Sequence, residues 1–459
     1  MRWGGDSALA TLALALLAAR VAVFAALPLP APVGDGVLFA SVAQYHCASG
    51  VFETPIFPLD PTGAYRYVWH GIAWPGLLSL LNPDCSLQGG FIALAITMGL
   101  TALALAWGFG SRHGVWATAL LIAVVGALQA KLGFRPETLA MPIALLGHAW
   151  RVRGMAWAWV ASIGLLAWTQ PTACLLAAAH ALLTLDAHDQ RALWRGAPLG
   201  LPAVLAVQGL IVLAYPFPLA DLLAGLSQQG SQFAGRQDGG LLVYFVRSDF
   251  FPLLGLAMAG VFALACWRRP ALLLLLPLVA YFGLRVPPAW YNLAPLFVVL
   301  LASLRDAPPR APGPTAARTT ALLCALLASA GLAQSLLRDG VSAWRERPDA
   351  AAALGPLRQL QDRGVAVCGV PPWLTLLRPA NAFEPAYEPR LKGCPPAGAR
   401  EAVDLVPMTA LHARADADAC RLPPRRADVP AALDRLFRSG SGYGVAVCPA
   451  LRPPPIAPR

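Results

Sequence analysis

Apolar runs of roughly 15–23 residues recur along the chain, separated by short polar turns, and runs of this length can cross a hydrocarbon layer. They fall near residues 7–29, 89–109, 114–132, 136–150, 155–169, 171–185, 197–215, 250–266, 270–286, 289–304 and 319–337. The pattern predicts a mostly α-helical, polytopic membrane protein with about eleven transmembrane helices. The first run has no small-residue cleavage site and is long for a signal peptide, so it is expected to remain as an anchor. Three longer segments interrupt the series: about 30–88, about 216–249, and the tail from about 338.

Polar residues in the turns orient this arrangement. With the N-terminus in the cytoplasm, the inner turns contain Arg112, His113, Arg151, Arg153, Arg191, Arg195, Arg268, Arg269, Arg305, Arg310 and Arg318. This is the distribution the positive-inside rule requires. The three longer segments then lie outside. Two units follow: a transmembrane unit, 1–338, whose first outer loop is 30–88, and an extracytoplasmic unit, 339–459. In the tail, "LRQLQDRGVAVCGV" and "LDRLFRSGSGYGVAVCPA" each read as helix, glycine turn and short strand. The tail is therefore expected to be a small α/β domain on the outer face.

Composition narrows the class further. The chain is 57% hydrophobic and 13% charged, against about 25% charged in a soluble domain. Its net charge of +11 is spread over short loops between apolar runs, which argues for topology signals and against a nucleic-acid groove. Only Lys131 and Lys392 are lysines, as GC-rich bacterial coding would give. Three cysteines, Cys174, Cys266 and Cys324, lie in or beside spans. The other six, Cys47, Cys85, Cys368, Cys394, Cys420 and Cys448, fall in the outer segments, where an oxidising compartment allows disulfides. A Cys47–Cys85 bridge would staple the first outer loop, whereas four cysteines in the tail leave three connectivities open.

The first outer loop opens on "APVGDGVLFASVAQYHC". Asp35 is its sole acid and precedes a segment, 37–49, expected to be an amphipathic helix on the membrane. A helix-capping role is the plain alternative for an Asp at this place. Further on, Tyr65, Tyr67, Trp69 and Trp74 surround a short apolar segment, 71–81, expected as a second interfacial helix in an aromatic belt. "KLGFRPETLAMP" puts Lys131, Arg135 and Glu137 at one outer turn. Two cations at a lipid–water boundary can clamp a phosphate, and ionisable groups at membrane depth are functional candidates by default. Pro136 and Glu137 also suit the first turn of a helix. "YFGLRVPPAWYNLAPLF" brings Arg285 and Tyr291 to the outer side. Gln170–Pro171 breaks two apolar runs and suits either a cavity or a simple turn. Arg20, inside the first run, has no evident role.

Taken in order, these motifs resemble the GT-C class of membrane glycosyltransferases. The likeness spans about residues 7–304: an acid after the first span, the proline-rich "YRYVWHGIAWPGLLSLL", "FRPETLA", then "RVPPAWYNLAPLF". It is similar to bacterial protein O-mannosyltransferases, aminoarabinose transferases and rhizobial core transferases. The resemblance implies inverting transfer, on the outer leaflet of a bacterial inner membrane, from a polyprenyl-phosphate-linked sugar to a glycan, lipid or protein acceptor. It maps the family's loop acid onto Asp35 as base, and the cations at the lipid phosphate onto Arg135, with Lys131, Arg285 and Tyr291 matched more loosely. Many relatives carry a second acid close to the first or in the next outer loop, for which Glu53, Asp60 and Glu137 are candidates here. None stands in an adjacent acidic pair, which leaves dependence on a divalent metal open. No other cofactor is implied.

Two alternatives come from other classes. A transporter or flippase would show inverted repeats and broken helices at the midplane, and no repeat is evident. A lipid-linked glycan ligase or polymerase would carry a late outer loop with clustered arginines and a histidine. Segment 216–249 has two arginines and no histidine.

Overall fold

The computed structural model describes residues 5–26, 35–54, 65–66, 71–214, 252–284, 290–306, 314–369, 382–383, 402–407, 417–420 and 445–449. Helices α1 (Gly5–Ala26), α2 (Asp35–Ser49), α3 (Ala73–Leu80) and α4 (Leu87–His113) are followed by α5 (Val115–Leu132), α6 (Glu137–Val152), α7 (Ala156–Thr169), α8 (Pro171–Leu183) and α9 (Ala187–Ala214). Next come α10 (Pro252–Arg268), α11 (Leu276–Leu284), α12 (Ala294–Asp306) and α13 (Pro314–Asp362). Helical structure thus overlaps each of the eleven apolar segments. Among the described residues, Ser7–Ala26, Leu87–Ser111, Val115–Leu132 and Arg318–Leu337 are long and apolar enough to cross a membrane. Leu100, Leu103, Leu182, Trp194, Leu205 and Trp267 point outward, as in a surface that meets lipid rather than water.

Local chemistry sets the helix ends. Ser86 caps α4, its hydroxyl accepting the Gly89 N–H at 2.9 Å, one of the orphan donors that every helix start presents. Gly114 and Gly133 adopt φ of +76° and +56°, a conformation glycine enters without a Cβ penalty, and they end α4 and α5. Pro136 and Pro171 sit where the next helix begins. Helix α5 is central, packing on α1, α4, α6 and α13. Its Leu120, Leu121, Val124, Val125 and Leu128 join Phe297 and Leu300 of α12 in the main apolar core.

The described part of segment 30–88 packs into the bundle. Residues 39–44 of α2 are all buried, so this helix does not lie half-exposed on the membrane as its apolar positions suggest. The small Ala40, Ser41 and Ala43 let neighbours approach it on every side. Trp74, expected in an aromatic belt, is fully buried, and its indole N–H donates to the Phe134 carbonyl. A disulfide joins Cys47 to Cys85. Cys85 has a φ of +52°, a left-handed conformation that a non-glycine residue holds only when its surroundings impose it. Gly71 packs so closely on the end of α7 that a Cβ there would overlap the Trp168 carbonyl. Asp60, Tyr67, Trp69, Arg285 and the 216–249 segment lie outside the described residues.

Residues assigned to inner turns converge at one end of the bundle. The Asp306 carboxylate bridges His113 and His148, accepting from their Nε2 atoms at 2.7 and 2.8 Å. Burial pushes this carboxyl up, but the two hydrogen bonds and the charges of both rings together hold it well below the usual carboxylate range. Nearby, Arg151 pairs with Asp189 and donates to the Thr184 hydroxyl at 2.6 Å, and Arg269 donates to the Thr184 carbonyl at 2.8 Å.

The tail begins within α13, which runs unbroken through residue 338. After the short strands β1 (Glu53–Thr54) and β2 (Tyr65–Arg66) that follow α2, the next strand is in the tail, where Gly364, at φ +80°, turns the chain into β3 (Ala366–Gly369). Strands β3, β4 (Ala382–Phe383), β5 (Ala402–Pro407) and β6 (Val445–Pro449) form one sheet in the order β4-β3-β5-β6. β3 is parallel to β4 and β5, and β6 is antiparallel to β5. The two "GVAVC" copies contribute β3 and β6. Cys420 is bonded to Cys448, and Cys368 is also in a disulfide.

The Gly71 contact gives a direct test of how the loop is held. Gly71→Ala should lower the thermal midpoint in detergent by several degrees. Gly99→Ala, where a Cβ meets open space, should leave it unchanged or raise it slightly. Equal midpoints for the two variants would show that the loop does not rest on α7.

Candidate functional site

At the other end of α6, about 17–21 Å along its axis from His148 and Arg151 at 1.5 Å per residue, the chain brings four elements together around Arg135. The turn between α5 and α6 is built first. Gly133 reverses the chain, its carbonyl accepts the Thr138 hydroxyl at 2.8 Å, and the next carbonyl, of Phe134, takes the Trp74 indole. The Phe134 ring lies edge-on to Phe91 at 5.0 Å, and Phe91 stacks on Phe24 at 5.6 Å. This aromatic row fixes the turn against α1 and α4. The side chain of Arg135 is thereby left 12% exposed and that of Glu137 fully buried.

The guanidinium is held on its edge and on its face. Its Nε and Nη2 donate to the two oxygens of Glu137 at 3.2 and 3.3 Å, the fork geometry that suits arginine to a carboxylate. Its central carbon lies 3.5 Å from the Tyr291 ring centroid and 5.6 Å from that of Phe39. Stacking on Tyr291 adds a cation–π attraction, of about 0.5–2 kcal/mol depending on desolvation. Glu137 accepts a third bond, from Gln170 Nε2 at 3.0 Å. The same nitrogen donates to Asn292 Oδ1 at 2.8 Å. Gln170 reaches this position because Pro171 disfavours helical backbone before it, and Gln170 is extended, at φ −156° and ψ 103°.

The arrangement gathers some of the residues that sequence reasoning selected and separates others. Arg135, Glu137 and Tyr291 are in direct contact. Lys131 is one turn earlier on α5 and borders a narrow cleft with Leu128, Gly331 and Ser335. Asp35 begins α2, four positions before Phe39. Glu53 stands in a two-residue strand opposite Arg66. Arg285 and Asp60 lie outside the described residues. Among the described residues there is no group of three or more His, Cys, Asp and Glu that could hold a metal.

Two participants were underread from sequence. Gln170 stood out only as part of a helix break, at a cavity or a simple turn, and Asn292 did not stand out at all. The available signal was an amide immediately before a proline, and a second within the "WYNLAP" that ends a proline-broken run.

Chemically, the site is a buried, aromatic-walled cation with its own counter-charge. A guanidinium presents five N–H donors in a planar fork, a geometry that suits an oxyanion such as phosphate.

Comparison with known proteins places this geometry in a known fold. No family model matches the chain, and no curated protein does. Among solved structures, it is similar to ArnT from Cupriavidus metallidurans bound to undecaprenyl phosphate. The TM-score is 0.56 at 14% identity, over 97% of this chain and 98% of that one. The apo state of the same protein aligns with a TM-score of 0.50 at 15% identity, over the same shares. The chain therefore has an ArnT-like fold along nearly its whole length, as its resemblance to the GT-C class implied.

The ion pair is testable on its own. Arg135→Met leaves a buried carboxylate without its cation, which typically costs 3–5 kcal/mol, and should lower the thermal midpoint markedly. Adding Glu137→Gln to that variant should restore part of the loss. A double variant less stable than Arg135→Met alone would show that the two side chains do not depend on each other.

Proposed function

We propose that this protein is an inner-membrane glycosyltransferase that moves a sugar from a polyprenyl-phosphate donor to an acceptor on the outer leaflet. The observation that carries this reading is the ArnT-like fold over 97% of the chain, with a stacked arginine where the sequence motifs of that class fall. The neighbour is described as bound to undecaprenyl phosphate, and a lipid phosphate is the ligand that the chemistry of Arg135 suits best.

In the proposed reaction the acceptor hydroxyl attacks the anomeric carbon while the bond from that carbon to the phosphate oxygen breaks. One carbon–oxygen bond forms as another is lost, with inversion. Asp35 takes the hydroxyl proton as general base. Negative charge grows on the departing lipid phosphate, where Arg135 stabilises it. Lys131, Arg285 and Tyr291 complete the phosphate site in this reading, with Tyr291 acting through the guanidinium it stacks on. The burial of Glu137 against Arg135 fits an orienting carboxylate better than a second catalytic acid, which leaves that part to Glu53 or Asp60 if the reaction needs one. We assign the N-terminus to the cytoplasm and the 339–459 unit to the outer face, where its disulfides and Cys47–Cys85 would form.

Purified protein in nanodiscs, supplied with undecaprenyl-phosphate sugars and envelope acceptors, should transfer sugar. Asp35→Asn should reduce transfer by at least about 10²-fold, the usual scale of a lost general base, with the fold intact. Arg135→Ala should weaken undecaprenyl phosphate binding. Full activity in Asp35→Asn would remove the base assignment, and unchanged lipid affinity in Arg135→Ala would remove the phosphate assignment.

A further inference from the structure

Gln170 is more deeply placed in this site than a helix break requires. It is 3% exposed, its backbone is extended between α7 and α8, and its amide nitrogen is shared between Glu137 and Asn292. A carboxylate only accepts hydrogen bonds, so the nitrogen and not the oxygen of the amide must face Glu137. The two N–H groups of that nitrogen then serve two different elements. One fixes the carboxylate that grips Arg135. The other holds Asn292, whose neighbour Tyr291 forms the surface beneath the same guanidinium. Gln170, Glu137, Arg135, Tyr291 and Asn292 therefore close a ring, in which Gln170 and Arg135 each join the Glu137 arm to the Tyr291–Asn292 arm.

We propose that Gln170 is a positioning residue of the phosphate site: by holding Glu137 and Asn292 together it sets the direction of the Arg135 guanidinium. This rests on the reading of Arg135 as the donor-phosphate ligand. An arginine beside a fully buried carboxylate attracts a second anion only if that carboxylate's charge is partly taken up by other donors and its position is fixed. Gln170 supplies both, through one neutral side chain that adds no further charge to the site.

The test uses full-length protein in nanodiscs and two readouts, with the thermal midpoint as a check on folding. The first is the Kd for undecaprenyl phosphate. The second is the rate at which phenylglyoxal modifies Arg135, followed by peptide mass spectrometry. It reports on the guanidinium whether or not a lipid binds. Gln170→Met keeps the length and removes both donors. It should weaken lipid binding roughly tenfold, as expected for a lost hydrogen bond to a charged group, and should speed modification of Arg135 several-fold. In a Glu137→Gln background the same substitution should add less to either readout than it does alone, because one of the two arms that Gln170 holds is already altered. Asn292→Leu, which cuts the other arm, should speed modification by a smaller factor and serves if Gln170→Met does not fold. Unchanged Arg135 reactivity in a folded Gln170→Met or Asn292→Leu protein would overturn the proposal, as would full additivity with Glu137→Gln. If the wild-type protein binds no undecaprenyl phosphate while Arg135 reactivity still responds, the positioning role stands and the lipid-phosphate reading falls.

Discussion

A guanidinium at the edge of an apolar bundle is stable only when its charge is answered, and the pairing of Arg135 with Glu137 answers it. Burying either group alone would cost several kcal/mol. Together, with Gln170 on the carboxylate and Tyr291 against the guanidinium, they form a neutral unit that the bundle can enclose. The rest of this end of the molecule follows from that pair. The α5–α6 turn must present both side chains, so Gly133 reverses the chain and the Trp74 indole fixes the turn from outside. The α7–α8 break must deliver an amide, and Pro171 puts it there. The helical turn before α12 must bring an aromatic ring, and Tyr291 provides it.

The opposite end of the bundle is built on the same principle with different partners. Asp306 between two histidines, and Arg151 between Asp189 and Thr184, join α4, α6, α8, α9 and α12 through buried polar contacts. These contacts bind one set of helix ends, while Arg135 lies at the opposite ends.

Much of the architecture was legible in the sequence because span-length apolar runs and breakers such as Gly114, Gly133, Pro136 and Pro171 act locally. That Arg135 is held among partners rather than in a plain turn was legible too, since a charge between two apolar runs must be answered. The role of Glu137 was less so, because spacing alone does not separate a helix-terminal acid from the partner of a buried arginine. Gln170 and Asn292 were hidden for a different reason: a neutral amide carries no periodic signature, and these two meet only through the tertiary fold, 122 positions apart in sequence. The burial of α2 was misread from its apolar positions. Small residues such as Ala40, Ser41 and Ala43 score as weakly apolar yet allow packing on all sides. Asp35 keeps its place in the account because its helix carries Phe39 to within 5.6 Å of the guanidinium carbon, which ties the start of the first outer loop to the same site.

The most direct measurement is a structure of the full-length protein with undecaprenyl phosphate in nanodiscs. The account predicts that the lipid's phosphate lies within hydrogen-bonding distance of the Arg135 guanidinium, with Tyr291 still stacked beneath it and the N-terminus of α2 facing the same space. A phosphate bound elsewhere, with Arg135 engaged only by Glu137, would contradict it.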